Sequence, residues 1–173
     1  MTIINHLIKI QKIINTINEW IGRSVAWLTL SMIILTTIIV ILRYVFNTGS
    51  IALQESVNYM HASVFLLGIA YTLKHDGHVR VDIFYQKFSK KTKAWIDLLG
   101  TLILLMPSSM FIIWVSFNYV EKSWSIFEGS RETGGLDGVF LIKTLIIIMP
   151  ILLIMQGISF MIQSLLTIIK NDN

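Results

Sequence analysis

The sequence has 173 residues, of which 54% are hydrophobic and only 14% are charged. Soluble domains carry roughly 25% charged residues, so this composition excludes an ordinary soluble protein and favours one that is dissolved in lipid. The absence of cysteine excludes disulfides, thiolate metal sites, iron–sulfur clusters and cysteine nucleophiles. The net charge of +4 does not indicate nucleic-acid binding, because the cations flank apolar runs, where they set membrane topology.

Residues 1–22 have the spacing of an amphipathic helix. Apolar side chains recur at three- and four-residue intervals, at Ile3, Leu7, Ile10, Ile14, Ile17 and Ile21. The other side is polar and carries Asn5, Lys9, Lys12, Asn15, Thr16 and Glu19. This pattern predicts a separate helix that either lies in the cytoplasmic interface of the membrane or packs on a partner subunit.

Four charge-free runs follow, and each comes close to or exceeds the roughly 20 residues that a helix needs to cross about 30 Å of hydrocarbon. They cover residues 24–42, 56–73, 98–120 and 144–169. With their flanking turns they predict membrane spans at about 24–42, 51–73, 95–120 and 142–169. Pro107 and Pro150 lie inside the last two spans and predict kinks or local breaks. The predicted fold is one all-α membrane domain over 1–173.

Two of the connections between the spans have features of their own. Residues 79–93 are basic and partly amphipathic, which predicts a short interfacial segment, with Ser89 as the N-cap of the helix that follows. A glycine-rich stretch over 134–138 predicts a loop before the fourth span, and Asp137 is a candidate N-cap of that span.

The distribution of Lys and Arg predicts the orientation of the chain. Ten of these residues precede the first span, connect the second to the third or follow the fourth, whereas four lie in the other two connections. The richer side is normally cytoplasmic. Both termini are therefore predicted to be cytoplasmic, and the connections near 43–55 and 121–143 to face outward.

The four runs hold no Asp, Glu, Lys or Arg near their centres. Their central polar residues are Thr36, Thr37, Ser63, Ser108, Ser109 and Gln156. Residues of this kind usually hydrogen-bond between helices, whereas transport of a charged solute needs charged groups or broken helices near mid-depth. The chain is therefore predicted to be a non-catalytic subunit of a larger transporter.

Two alternatives stay open on the residues alone, an independent small transporter and a haem-bearing membrane anchor of a quinone-linked oxidoreductase. A bis-histidine haem needs two facing histidines, and His61 is the only histidine inside a predicted span. A hydrogen-bonded packing role for His61 is favoured. His75, His78 and Asp82 are too few and too unspecifically spaced for a metal site, so neither a cofactor nor a metal is predicted.

Three stretches in and after the second span carry a resemblance to a known family. They are Glu55–His61, Phe65–Tyr71 and Gly77–Asp82, the last of which reads Gly-His-Val-Arg-Val-Asp. Together with the loop Ser130–Leu136 and Lys143 after it, they resemble the small membrane subunit (DctQ-like) of tripartite ATP-independent periplasmic (TRAP) transporters. The resemblance extends over essentially the whole chain.

The resemblance implies a scaffold subunit of a sodium-coupled importer in a bacterial inner membrane, without enzyme activity. In such transporters a soluble periplasmic protein captures the solute, commonly a small organic carboxylate. A large multi-spanning subunit carries the solute and sodium sites and moves like an elevator, while the small subunit packs beside it. The implied partners are that large subunit, the periplasmic binding protein and the bilayer, with no nucleic acid.

Candidate site residues on the outward side are Glu55, Arg131 and Glu132, followed by Lys143 after the loop. The first three are expected to touch the binding protein or to order the outer face, where charges favour rapid and reversible docking.

Candidate site residues on the inward side are His78, Arg80 and Asp82, and His61 is the candidate within the span. Arg80 and Asp82 are expected either to point the same way in an extended stretch or to form a local pair that fixes the connection, although a surface pair of this kind contributes only about 0–1 kcal/mol.

Overall fold

The computed structural model describes residues 2–78, 85 and 87–170, and all regular secondary structure in these ranges is helical. The helices are α1 (Thr2–Tyr44), α2 (Ile51–Lys74), α3 (Lys90–Gly100), α4 (Met106–Ser125) and α5 (Val139–Lys170). A π-helical turn, Thr101–Leu105, joins α3 to α4 without interruption. The predicted all-α membrane class is confirmed.

Three stretches in the described part of the chain are long and apolar enough to cross a membrane: Ile4–Tyr44, Lys90–Ser125 and Val139–Lys170. α2 is not among them, although its 24 residues reach about 36 Å at 1.5 Å per residue. Polar side chains such as Asn58 and His61 lower its hydropathy. The second span, and with it the total of four, stays a prediction.

α1 does not show the predicted boundary between a separate helix over 1–22 and a span that begins at 24. The helix is continuous over 43 residues, which reach about 64 Å, twice the thickness of the hydrocarbon. The helix continues through Gly22, where the absence of a side chain permits close packing between helices. A Cβ at Gly22 would lie 2.3 Å from the ring of Tyr71, so its absence lets α1 approach α2. The predicted position of residues 1–22, in the membrane interface or on a partner subunit, remains a prediction.

The face that α1 buries within this chain includes Ile14 of the apolar side, which is 8% exposed, but also residues of the polar side. Ile10 is 45% exposed and Ile17 is 39% exposed, whereas Asn15 and Glu19, which the pattern assigned to the polar side, bond to α5 and α2. The reason is physical. In lipid an apolar side chain gains little by turning toward protein, while a polar side chain finds its hydrogen bonds only there.

α5 is the central helix and packs against each of the other four. Its buried residues are Pro150, Leu152, Gln156, Gly157, Ser159, Ile162, Ser164 and Ile168. A Cβ at Gly157 would lie 2.8 Å from Leu105 Cδ2 and 3.2 Å from Thr101 Cγ2. The glycine therefore allows α5 to meet the π-helical turn at close range, as small residues commonly do between membrane helices.

The π-helical turn lies directly before Pro107, where a kink or break was predicted. The Met106 N–H donates to the carbonyl oxygen of Thr101, five residues back. Proline lacks an N–H and its ring crowds the preceding turn, and the extra residue of a π turn accommodates that crowding. At Pro150, by contrast, α5 continues on both sides as one helix.

One of the two predicted helix caps is confirmed and the other is wrong. Ser89 caps α3 as predicted, since its hydroxyl accepts from the Thr92 N–H at 3.1 Å. The Asp137 cap is wrong: α5 begins at Val139, and its Phe140 N–H donates instead to the carbonyl oxygen of Glu128 at 3.3 Å. Seven of the fifteen residues of the predicted interfacial segment, residues 79–84 and 86, lie outside the described residues.

Candidate functional site

At one end of the bundle the loop over residues 126–138 folds onto the start of α2 through a single carboxylate. Glu55, in the first turns of α2, accepts a hydrogen bond from the backbone N–H of Leu136 (2.6 Å to Oε2) and another from the hydroxyl of Ser130. The Ser130 N–H in turn donates to the Leu136 carbonyl oxygen at 3.0 Å. Glu55 thus holds both sides of the loop at once.

Close contacts at position 135 explain why the loop has a glycine there. A Cβ at this position would lie 2.3 Å from Ser130 Oγ and 2.8 Å from Glu55 Oε2. Any side chain would therefore displace the hydroxyl or the carboxylate. The Gly135 N–H also donates to the carbonyl oxygen of Glu132 at 3.0 Å, which closes the turn.

A second carboxylate, Glu128, holds the beginning of the loop. The Ser123 hydroxyl donates to its Oε2 at 2.7 Å, and the Lys143 ammonium group bonds to the same oxygen. Lys143 Nζ also lies 4.0 Å from the centre of the Tyr119 ring, within the range of a cation–π interaction. The hydrogen bond from Lys143 is the main reason why the pKa of the Glu128 carboxyl lies below its usual value.

The chain enters the loop through a Schellman motif at the end of α4. The N–H of Phe127 donates to Trp124 O at 3.2 Å, and the N–H of Glu128 donates to Ser123 O at 3.0 Å. Phe127 has a φ of +43°, a conformation that glycine usually adopts. Its ring packs edge-on against that of Phe140, with centroids 5.6 Å apart, so side-chain packing supports the unfavourable backbone. We call Glu55, Glu128, Ser130 and Lys143 the loop cluster.

Arg131 and Glu132 stand on the loop with exposed side chains. The Glu132 N–H donates to Ser130 Oγ at 3.1 Å, so the backbone beneath these two charges is fixed while the side chains reach solvent. Of the predicted outward residues, Glu55 on α2 and Lys143 on α5 both bond to residues of the loop. Arg131 and Glu132 lie on the loop itself and are exposed.

A buried amide cluster, formed by Asn15, Asn18, Gln156 and Ser159, joins α1 to α5. Asn18 Nδ2 donates to Gln156 Oε1 at 2.8 Å, and Gln156 Nε2 donates to Asn15 Oδ1 at 3.2 Å. Ser159 Oγ donates to the same Asn15 oxygen at 2.7 Å. Asn18 and Gln156 are about 1–2% exposed. In the described structure the Asn18 Oδ1 atom is buried and has no hydrogen-bond partner.

Sequence reasoning placed Gln156 correctly among the helix-packing residues but did not find its partners on α1. A signal was present: Asn15 and Asn18 are three residues apart, as are Gln156 and Ser159. Residues at this spacing share one helix face, so each helix presents two polar groups in register. Only the fold shows that the two faces meet.

A third group of contacts ties α1 to the end of α2. Glu19 accepts from Lys74 Nζ at 2.6 Å and from Arg23 Nε at 2.7 Å, and it lies 2.9 Å from His75 Nε2. Lys74 Nζ also donates to the Asn15 carbonyl oxygen at 3.1 Å. The hydrogen bond from Lys74, followed by that from His75, lowers the pKa of Glu19 to about 2. We call this the Glu19 cluster.

The remaining predicted site residues lie apart from these clusters. His61 is exposed on α2, and His78 is exposed beyond the end of that helix. Arg80 and Asp82 lie outside the described residues. Among the residues that the structure does describe, no three His, Asp or Glu side chains come together as a metal site would require.

The chain was compared with known proteins and families. The family model described as "Tripartite ATP-independent periplasmic transporters, DctQ component" matches residues 32–167, more than half of the chain. The match extends from the last third of α1 to the last turn of α5 and includes the whole loop cluster. Neither a curated protein nor a solved structure matches the chain.

Proposed function

The chain belongs to the DctQ family of small TRAP-transporter membrane subunits, and from this premise we propose that it is the static scaffold on which a separate large subunit moves the solute. The transported solute is a small organic carboxylate, and its import is coupled to sodium. A periplasmic binding protein delivers the solute to the assembled complex.

The amide cluster is the observation that carries this proposal. Polar groups that line a solute path must face a cavity, because they exchange their partners with the solute. Here Asn15, Gln156 and Ser159 bond to one another across the α1–α5 interface. The charge-free runs offer no carboxylate, lysine or arginine at mid-depth in their place. Buried polar groups used in this way make a rigid bundle and a poor pathway.

In the proposed arrangement the chain crosses the bilayer four times, with both termini in the cytoplasm. The excess of Lys and Arg on that side supports this orientation. The Glu19 cluster then lies near the cytoplasmic surface and the loop cluster near the periplasmic surface, at opposite ends of α2. The ion pairs and hydrogen bonds of these clusters hold the helices together where water competes most strongly.

On the periplasmic side, Arg131 and Glu132 meet the binding protein. Exposed charges on a preordered loop raise the association rate without demanding that the loop fold on contact. This suits a partner that must bind, release its solute and leave. The support is the exposure of both side chains above a backbone that Glu55 and Ser130 fix.

Reconstitution tests the proposal. Proteoliposomes are prepared with this chain alone, with the large membrane subunit alone and with both, and are given the binding protein, an inward sodium gradient and a panel of radiolabelled carboxylates. We expect uptake only when both membrane subunits are present. Sodium-driven uptake by this chain alone would overturn the scaffold role, and so would undiminished uptake by the large subunit without it.

A further inference from the structure

α2, which is proposed to span the membrane, exposes a face that carries polar side chains. Gln54, Asn58, His61 and Phe65 follow one another at intervals of four, three and four residues, and all four are exposed, Phe65 by 68%. The opposite face packs on α1 and α5, where Ala70 is completely buried. We call the exposed row the α2 stripe.

Exposure of the polar side chains of the α2 stripe to lipid would raise the free energy of the folded chain. His61 is the eleventh of the 24 residues of α2, which places it near mid-depth in a spanning helix. Within the described chain, no side-chain hydrogen bond is made by Gln54, Asn58 or His61. Hydrocarbon offers no hydrogen bond to an amide or an imidazole, so the lowest free energy is reached only when another protein surface covers the row.

A groove of about 850 Å³ begins one helical turn beyond Phe65, at Ile69 and Leu73, and lies between the C-terminal third of α2 and the segment that joins α3 to α4, with α5 as its floor. Its lining includes Ile69, Leu73, Leu104, Ser108, Met149 and Leu153. A helix about 10 Å wide fills a volume of this order with roughly two of its turns. Gly68, near the stripe, has no atom within 4 Å of the place where a Cβ would stand, so a neighbouring backbone can come close.

We propose that the α2 stripe and this groove seat a transmembrane helix of the large membrane subunit. The inference rests on the proposed scaffold function and adds the place and chemistry of the contact. The occupant carries Ser, Thr, Asn or Gln opposite Asn58 and His61, and small residues opposite Gly68. A second copy of this chain suits the site less well, because two identical grooves that face each other leave both unfilled.

Site-directed crosslinking tests the assignment, and the absence of cysteine from the native chain makes it clean. Tagged Asn58→Cys, His61→Cys and Phe65→Cys variants are made in membranes that also contain the large subunit. They are labelled with a maleimide benzophenone and irradiated. Ile34→Cys is the matched control, since Ile34 is 54% exposed near the middle of the first span but lies on α1. The cysteine-free wild type reports the background.

The expected result is an adduct between the tagged chain and the large subunit from the three stripe positions, and none from position 34. Adducts that join two copies of this chain would overturn the assignment, as would labelling of lipid alone or adducts from position 34 only. The wild type is purified first. If the large subunit does not co-purify with the wild type, both the scaffold role and the docking site are wrong. If it does co-purify but the three stripe positions give no adduct with it, only the docking site is wrong.

A steric variant supplies a second readout. Gly68→Trp adds bulk beside the stripe at a position where a Cβ meets no atom of the chain within 4 Å. We expect roughly tenfold less large subunit to co-purify with it, the change that corresponds to losing two or three interhelical hydrogen bonds. Ile34→Trp should leave recovery unchanged, and both variants should keep the thermal unfolding temperature of the isolated chain. Equal recovery from the two variants would contradict the proposal.

Discussion

Glu55 and Leu136 are 81 positions apart, yet the Leu136 N–H lies 2.6 Å from a carboxylate oxygen of Glu55. This bond and that from Ser130 connect the start of α2 to the loop that leads into α5. The loop therefore has a defined shape although its sequence is rich in glycine. A flexible loop would have to lose conformational entropy whenever a partner bound to it, whereas this one is already ordered.

Removal of the Glu55 carboxylate should loosen the loop. In Glu55→Ala the backbone N–H of Leu136 and the Ser130 hydroxyl lose their acceptor, and Arg131 becomes open to trypsin. We expect cleavage after Arg131 to become roughly tenfold faster in right-side-out proteoliposomes, as befits the loss of a charge-assisted hydrogen bond. Glu121→Gln serves as the control, because this exposed carboxylate lies on α4, outside the loop and away from the cleaved bond. Equal cleavage rates in the two variants would show that Glu55 does not order the loop.

The loop cluster shows which part of a site the sequence reveals. Glu55 and Lys143 could be singled out from their positions at the ends of spans. Glu128 could not, since its carboxylate reaches Lys143 only because Phe127 turns the chain with a positive φ. The Phe127 ring packs against Phe140, which lies 13 positions along the chain, and no local sequence signal predicts a positive φ at a residue other than glycine.

The face of α1 illustrates a different limit. Helical spacing correctly indicates a helix over 1–22, but it cannot say which face turns inward. The pattern predicts an apolar side that faces either the lipid interface or a partner subunit, and neither alternative identifies the residues that pack within this chain. In this bundle Asn18 is buried against Gln156, 138 positions away, and Ile17 is exposed beside it. Ser89, by contrast, was predictable because a helix cap involves only its neighbours.

Two helix glycines should respond oppositely to the same substitution. At Gly22 a Cβ would lie 2.3 Å from the Tyr71 ring, whereas at Gly68 it would meet nothing within 4 Å. Alanine is favoured over glycine in a helix by up to about 1 kcal/mol. We expect Gly68→Ala to leave the isolated subunit as stable as the wild type or more so, and Gly22→Ala to destabilise it by about 1–3 kcal/mol through overpacking. Unfolding in mixed detergent micelles measures both.

A compensating change separates overpacking from any other effect at Gly22. Tyr71→Ala removes the ring that the new methyl group would strike, so the double variant Gly22→Ala, Tyr71→Ala should lose less stability than the sum of the two single changes. Strict additivity would mean that the close approach of α1 to Tyr71 does not limit the residue at position 22.

The Glu19 cluster makes stability depend on pH in a defined window. The pKa of Glu19 falls from 4.5 to about 2 on folding, chiefly because Lys74 and His75 bond to its carboxylate. A depressed pKa contributes stability that is fully present above pH 4.5 and is lost as the pH falls through about 2. The difference in unfolding temperature between wild type and Glu19→Gln should therefore shrink steadily as the pH falls from 4.5 toward 2.

Glu121→Gln provides the comparison for this titration, because Glu121 is an exposed carboxylate at the end of α4. Its substitution should change the unfolding temperature little. If Glu19→Gln behaved in the same way, the contacts of Glu19 with Lys74 and His75 would make no measurable contribution to the folded state.

The amide cluster permits the sharpest test of rigidity, because its members lie on only two helices. Gln156→Met keeps the shape of the side chain but leaves Asn18 Nδ2 without its acceptor and Asn15 with one donor fewer. We expect it to destabilise the isolated subunit by about 1–3 kcal/mol, the cost of leaving buried polar groups unpaired. Asn18→Ala should destabilise the subunit less than its lost volume suggests, since it also removes the buried oxygen that has no partner.

In the double variant Asn18→Ala, Gln156→Met the Asn18–Gln156 hydrogen bond is lost only once. The loss of stability should therefore fall short of the sum of the single losses by about 0.6–1.7 kcal/mol. Detergent unfolding of the four proteins measures this coupling, and a coupling of zero would mean that the hydrogen bond between α1 and α5 contributes nothing to the static bundle.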